Sequence, residues 1–299
     1  IEKEIFKNRR ENIIIQMNEK VSFWNMTKAF LFNSAETVPE NRLPEVKPPN
    51  IEEFMQSTEG IKFIWFGHST LLVNINNIIV LIDPVFSNAA SPVSFIVERF
   101  QPPVLELKDL PRIDYILISH DHYDHLDMET VTYFKEKDVK FIAPLGVTSH
   151  LKSWGIHESK LFEKDWWGKL EFEGINFICT PAQHFSGRLG TIKADKTLWA
   201  SWVVKTESNS FYFNGDSGYD IHYKKIGKQI MPSIETSPYP MIFKVDNPQE
   251  LPSVNNDDKN KIAIRTMTRA LEGMQKEAIV NDSFTNSAWR MVCDEGPWL

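Results

Sequence analysis

At 299 residues, with 42% hydrophobic and 24% charged side chains, the chain has ordinary globular composition and can bury a sizeable core, as one large domain or one domain plus an appendage. A net charge of −7 argues against a nucleic-acid partner, because phosphates are held by basic surface that this chain lacks in excess. Two cysteines, Cys179 and Cys293, cannot make a disulfide framework, and no apolar run approaches the roughly 18 residues of a transmembrane helix, so a cytoplasmic or peripheral-membrane location is expected.

The chain opens on Ile1 with no signal-peptide pattern, and an upstream piece carrying any targeting segment is expected to be missing. Residues 1–58 read as an extension, with a helix over Lys3–Glu19 and the Pro-containing run Val38–Pro49 as an extended linker. Lys7, Arg9, Arg10 and Lys20 precede Phe23, Trp24, Phe30 and Phe32, a basic and aromatic mixture suited to a membrane surface. Glu2, Glu4, Glu11 and Glu19 interrupt that basic face and favour packing on the chain's own domain.

From Ile61 onward, period-two and short apolar runs predict strands over Lys62–Phe66, Ser69–Val73, Ile78–Ile82, Tyr115–Ser119, Lys140–Ala143, Ile175–Cys179, Trp199–Val204 and Ser210–Asn214. A helix is expected over Asp127–Lys137 with Asp127 as its cap. Strands at this spacing with few helices between them suggest a layered sheet sandwich in an α/β (α+β) domain over residues 59–230. Residues 231–299 have another texture. Pro232, Pro238, Pro240, Pro248 and Pro252 punctuate a strand-poor stretch, and Asp258–Ala278 then reads as an amphipathic helix with Ile264, Met267, Leu271, Met274 and Ala278 on one face. That face serves a core or an assembly contact.

The chemistry concentrates in Ser119-His120-Asp121-His122-Tyr123-Asp124-His125, directly behind the apolar run Tyr115–Ile118. Neutral imidazole and carboxylate are ligands that a borderline cation such as zinc accepts, and the whole chain has only 8 histidines. At the exit of a strand, His120 and His122 can point to one side and suit one metal, while Asp124 and His125 can reach a second. A pair of metals needs a bridging carboxylate. Asp216, between Gly215 and Ser217-Gly218 at a strand end, offers one, although taken alone a simple turn aspartate is the more ordinary reading. His184 follows the strand ending at Cys179 and gains weight only from these neighbours. Asp83 reads either as a carboxylate bracing the histidine loop or as a strand-end aspartate before Pro84, and His68 is similarly two-sided. Trp166, Trp167, Trp199, Trp202 and Phe185 suit an apolar groove for acyl chains, and core packing explains such aromatics equally well.

In this order the motifs resemble the metallo-β-lactamase superfamily: Gly67-His68-Ser69-Thr70, Leu81-Ile82-Asp83-Pro84, His120 to His125, His184, and Gly215-Asp216-Ser217-Gly218-Tyr219. Within it, the chain resembles the branch of N-acyl-phosphatidylethanolamine-hydrolysing phospholipase D. The matching segments include Ile64-Trp65-Phe66-Gly67-His68, Asp83-Pro84-Val85-Phe86-Ser87, Asp165-Trp166-Trp167, Thr180-Pro181-Ala182-Gln183-His184 and Trp199-Ala200-Ser201-Trp202, all between about residues 61 and 230. The resemblance implies an αββα sandwich, two zinc ions and hydrolysis of a phosphodiester, with a phospholipid as the expected substrate and peripheral membrane contact. It places one metal on His120, His122 and His184, the other on Asp124 and His125, and Asp216 between them. Two zinc ions about 3.5–4 Å apart lower the pKa of a shared water toward 7 and supply hydroxide at neutral pH, with Asp124 orienting the water.

The resemblance also implies a further histidine late in the domain, and none is present: the last histidine is His222. The likeness of motifs stops near Ile230, as a truncated or rearranged reading frame would cause, and a sandwich incomplete in its C-terminal half is expected. Cys293 is a candidate replacement ligand, since thiolate binds zinc well, and an idle thiol is the commoner fate. Three functions follow from these expectations: an active zinc phosphodiesterase, a catalytically impaired metal-binding protein of the same ancestry, or an interaction module using the tail helix.

Overall fold

The computed structural model describes residues 5–9, 48–56, 60–90, 99, 101–188, 195–218, 220–230 and 241–243. Six strands form a first sheet in sequential order: β1 (Ile61–Trp65), β2 (Leu71–Ile75), β3 (Ile78–Ile82), β4 (Tyr115–Leu117), β5 (Lys140–Pro144) and β6 (Leu161–Lys164). The first three pair antiparallel, and β3 to β6 pair parallel. Five antiparallel strands form the second sheet: β7 (Lys169–Phe172), β8 (Ile175–Thr180), β9 (Ser201–Lys205), β10 (Ser210–Phe213) and β11 (Met241–Phe243), ordered β11-β10-β9-β8-β7. The last of these lies beyond residue 230 and extends the second sheet at the β10 edge.

Period-two alternation in the central strands explains the layering. In β2 and β3, Leu71, Val73, Ile75, Val80 and Ile82 face Phe177, Cys179, Trp202, Val204 and Phe211 between the sheets. The alternate residues Leu72, Ile79 and Leu81 point the other way, into a second core with Phe54, Val131, Phe134 and Leu151. That outer core is closed by the helices α1 (Ile51–Met55), α2 (Met128–Tyr133) and α3 (Thr148–Ser153). On the far side, α4 (His222–Gln229) packs Tyr223 and Ile226 against Val203 and Tyr212 of the second sheet. Helix, sheet, sheet and helix therefore stack in the αββα order. Strands buried on both faces read as unbroken apolar runs, which is why β3 coincides with its expected range.

Several boundaries differ from expectation for identifiable reasons. Strand β2 begins at Leu71 because His68 sits in a turn at φ 44°. Helix α2 keeps its Asp127 cap, whose side chain accepts from Glu129 N, but ends at Tyr133. Trp199 and Ala200 precede β9, their backbone bonding instead to loops of the first sheet, as in Ala200 N to Ser119 O at 2.9 Å. Residues 5–9 are not helical. They run across the second sheet's loops, with Phe6 N donating to Asp195 O. The remainder of the Lys3–Glu19 helix, most of the Val38–Pro49 linker, Cys293 and the Asp258–Ala278 helix lie outside the described residues.

Candidate metal centre

One rim of the sandwich gathers the chemistry, because the loops leaving the C-terminal ends of β1, β3, β4, β8 and β10 all emerge there. They carry His68, Asp83, His120 to His125, His184 and Asp216 respectively. Two ties lock the sheets together at this rim. Trp202 Nε1 donates to Ile118 O at 2.9 Å, and Ala200 N donates to Ser119 O. Gly215, at φ 58°, lets the Asp216 turn come close. A Cβ there would stand 2.9 Å from Ser119 Cβ and 3.2 Å from Ala200 O, so a side chain would push Asp216 off the histidine loop.

The histidine loop is shaped by its own backbone and by its neighbours. Leu126 N and His125 N both donate to His122 O, curling the chain so that His120, His122 and His125 converge. Asp121 turns away from the cluster, accepting from Gly187 N at 2.7 Å and facing His150 Nε2 at 3.1 Å. Arg188 donates to Asp121 O and Leu126 O, and its guanidinium lies 4.0 Å from the Tyr123 ring centroid.

Three imidazole nitrogens meet at one point. His120 Nε2 is 2.9 Å from His122 Nδ1, which is 3.2 Å from His184 Nε2. Zinc–nitrogen bonds of about 2.0–2.1 Å imply a tetrahedron edge of about 3.3–3.4 Å, so this spacing fits one ion with little adjustment. Burial lowers all three imidazoles from the usual histidine range, His184 to about 3, and keeps them in the neutral form that binds metal.

A second grouping adjoins the first. His125 Nε2 lies 3.1 Å from Asp216 Oδ2, and His184 Nε2 lies 3.9 Å from the same oxygen, so Asp216 stands between both groups. His125 Nε2 is fully buried and has the Asp216 carboxylate as its near neighbour; a buried ring nitrogen beside a carboxylate suits shared coordination of a cation. His68 Nε2 is 3.4 Å from Asp124 Oδ2, and the donor atoms of His68, Asp124 and His125 lie within 4.8 Å of one another. Burial alone would raise Asp124 and Asp216, but the His125 imidazole holds both carboxyls below the usual range, with His68 adding to the effect. Burial would likewise depress His125, and the Asp216, Asp124 and Asp83 carboxylates outweigh it. The donor set therefore fits two cations.

Asp83 lies beneath this group, fully buried, at φ 40° after β3. It accepts from Ser119 N at 2.7 Å and Ser119 Oγ at 2.5 Å, and its Oδ2 is 2.7 Å from His125 Nδ1. A carboxylate on the far ring nitrogen is placed to orient the His125 imidazole. The aromatic residues divide. Phe185 lies against the rings of His122 and His184, with centroids 4.7 and 4.6 Å away. Trp166 and the exposed Trp167 line a pocket of about 170 Å³ with Arg9, Asp220, His222 and Lys225, beside the His184 loop but sharing none of its ligand candidates. Trp202 is fully enclosed between the sheets, and Trp199 is 1% exposed, so neither faces a substrate; the groove reading is corrected to core for these two, because each indole N–H is satisfied inside the protein.

Sequence reasoning missed two positioning groups. Ser119 stands in the motif itself, and its hydroxyl links Asp83 to His120 Nδ1 at 2.9 Å. Asn8 grips His184 from 176 residues away, accepting from His184 N and donating to His184 O, and it also accepts from Trp199 Nε1. Nothing local in the sequence marks Asn8 for that role.

The family profile described as "Beta-lactamase superfamily domain" matches residues 79–277. An uncharacterized protein of Mycobacterium tuberculosis is 42% identical over 181 residues, covering 60% of this chain and 48% of that protein. N-acyl-phosphatidylethanolamine-hydrolyzing phospholipase D 1 of Caenorhabditis elegans is 37% identical over 187 residues, covering 59% and 52%. The chain thus spans about half the length of the curated relatives it matches. A solved structure of a metallo hydrolase from the archaeon Ignicoccus hospitalis aligns at 22% identity with a TM-score of 0.44, over 56% of this chain and 66% of that one.

Proposed function

The chain belongs to the beta-lactamase superfamily, and from that premise we propose that it is a metal-dependent hydrolase that uses zinc to cleave a phosphodiester, with a phospholipid of the N-acyl-phosphatidylethanolamine type as substrate. The observation that carries this reading is the convergence of His120, His122 and His184 nitrogens within 3.2 Å steps, with Asp216 reaching from there to His125. His120, His122 and His184 would hold one ion and Asp124 and His125 the other, with Asp216 in reach of both groups. Bound there, two zinc ions would lower the pKa of a shared water toward 7 and neutralise charge on the oxygens of the phosphodiester.

The protein's own groups do the rest. Ionised Asp124, 39% exposed, accepts a hydrogen bond from the attacking water and fixes its direction. Asp83 keeps His125 from rotating, and Ser119 does the same for His120. Phe185 makes the rim beside His122 apolar and thins the water around the site. The substrate class is supported by the name of the Caenorhabditis elegans relative and by Trp167, an exposed indole beside half-buried Trp166, a combination suited to a lipid–water boundary. In this reading the chain contacts a bilayer peripherally; among the described residues no helix is long and apolar enough to cross one.

A second reading, metal binding with impaired catalysis, is favoured by the absence of any histidine after His222. The test is to measure zinc content by mass spectrometry and hydrolysis of bis(4-nitrophenyl) phosphate and of N-acyl-phosphatidylethanolamine in mixed micelles. The proposal expects zinc and cleavage of both compounds, and loss of both properties in His120→Ala. Zinc without phosphodiester cleavage supports the second reading, and no zinc binding removes both.

A further inference from the structure

Catalytic zinc keeps one position for water and can expand to five ligands, so beside Asp124, His125 and the shared Asp216 the second position has room for one more protein group. A fourth group already stands there. His68 presents Nε2 3.4 Å from Asp124 Oδ2, and its ring meets that of His125 edge-on with centroids 4.9 Å apart. Its side chain comes from the β1–β2 turn, groups with Asp124 and His125, and is absent from the grouping of His120, His122 and His184.

The local backbone is built to aim this side chain. His68 lies in the left-handed region at φ 44°, where a non-glycine residue costs about 1–2 kcal/mol and persists only if its surroundings insist on it. They do so at three points. Trp65 Nε1 donates to His68 O at 3.0 Å, Thr70 N closes the turn onto Gly67 O at 3.0 Å, and Ser69 Oγ lies 3.0 Å from His68 Nδ1. Ser69 Oγ engages Nδ1, and Nε2 is the ring nitrogen turned to the Asp124 carboxylate. At 3.4 Å, Nε2 and the Asp124 oxygen are spaced as two ligand atoms on one tetrahedral zinc ion would be. A far nitrogen engaged by a hydroxyl and a near one turned to a carboxylate are the arrangement of a ligating histidine.

We infer that His68 is a ligand of the second metal position, so that zinc is held there by His68, Asp124, His125 and Asp216. The inference rests on the metal-dependent reading above, and the experiment separates the two. Zinc is titrated into the metal-stripped full chain against a chromophoric chelator, with stoichiometry read by native mass spectrometry. The wild-type chain is expected to take two ions. His68→Asn, which keeps a residue tolerant of left-handed backbone, is expected to keep the first and bind the second at least about tenfold more weakly. In parallel, diethyl pyrocarbonate labelling of His68 in the wild-type chain, read by peptide mass, is expected to be suppressed by the second zinc equivalent and not by the first; this decides the matter even if the variant does not fold.

Two ions bound with unchanged affinity by His68→Asn, or full labelling of His68 in the two-zinc chain, overturns the role of His68 and leaves the hydrolase proposal standing. A wild-type chain saturating at one ion also overturns it, while keeping a mononuclear form of that proposal. No zinc uptake by the wild-type chain overturns both.

Discussion

Asp83→Asn is nearly isosteric and removes the charge beneath the candidate centre. The carboxylate has three close partners: Ser119 N at 2.7 Å, Ser119 Oγ at 2.5 Å and His125 Nδ1 at 2.7 Å. An asparagine oxygen can keep the Ser119 contacts, but its amide hydrogens then oppose the His125 Nδ1 hydrogen, leaving a buried donor without an acceptor. An unsatisfied buried donor costs about 1–3 kcal/mol, and breaking a buried charged pair costs about 3–5 kcal/mol, so a loss of roughly 3–4 kcal/mol is expected for the metal-free chain. At about 2–4 °C per kcal/mol for a domain of this size, the melting temperature should fall by roughly 6–16 °C. Because His125 loses its orienting partner, zinc affinity at its position should fall about 10–100-fold. Calorimetric melting of the metal-free chain and chelator-competition titration of the zinc-loaded chain measure the two effects. A variant that melts within about 2 °C of wild type and keeps its zinc affinity would refute the bracing role.

Asn8→Ala removes the clasp on the His184 backbone; zinc affinity at the three-histidine position is expected to fall about tenfold in the same titration, and an unchanged value would detach the N-terminal segment from the site. Trp202→Ala empties the space between the sheets and should cost about 3–5 kcal/mol in urea unfolding, whereas a loss of activity at unchanged stability would return Trp202 to the substrate groove. His222 is pushed down to about 4 by burial, beside Ser217 Oγ, from the ordinary value of 6.5. Folding favours its neutral form, so its contribution is complete above pH 6.5 and is lost as pH falls toward 4, up to about 3 kcal/mol. Urea unfolding across that range should therefore show a shallower acid limb in His222→Gln than in wild type, and parallel limbs would contradict the assignment.

How much of this could be read from the sequence depended on burial. Central strands such as β3, covered on both faces, announce themselves as apolar runs, and the His120–His125 motif combines residue types that folding alone rarely places together. Strands β6 and β7 escaped notice because they lie at sheet edges, where Glu163, Lys164, Lys169 and Glu171 interrupt the apolar pattern. Asp83 was legible as a candidate brace, but its choice of His125 depends on the turn at φ 40° and on packing across loops. The tryptophans were ambiguous in principle, since an indole in a core and one in a groove look alike until its N–H partner is known: Ile118 O decides it for Trp202. Asn8 depends wholly on long-range placement, whereas His68 was legible as a candidate in its turn and only its meeting with Asp124 and His125 depends on the fold.

The central claim is a dinuclear zinc centre built from imidazole and carboxylate at the rim of the sandwich. Zinc-edge X-ray absorption of the fully loaded chain tests it most directly. The account predicts a first shell of nitrogen and oxygen at about 2.0–2.2 Å with multiple-scattering features of imidazole, and a zinc–zinc distance of about 3.5–4 Å. A sulfur shell at about 2.3 Å, or zinc without imidazole scattering or a neighbouring zinc, would contradict it.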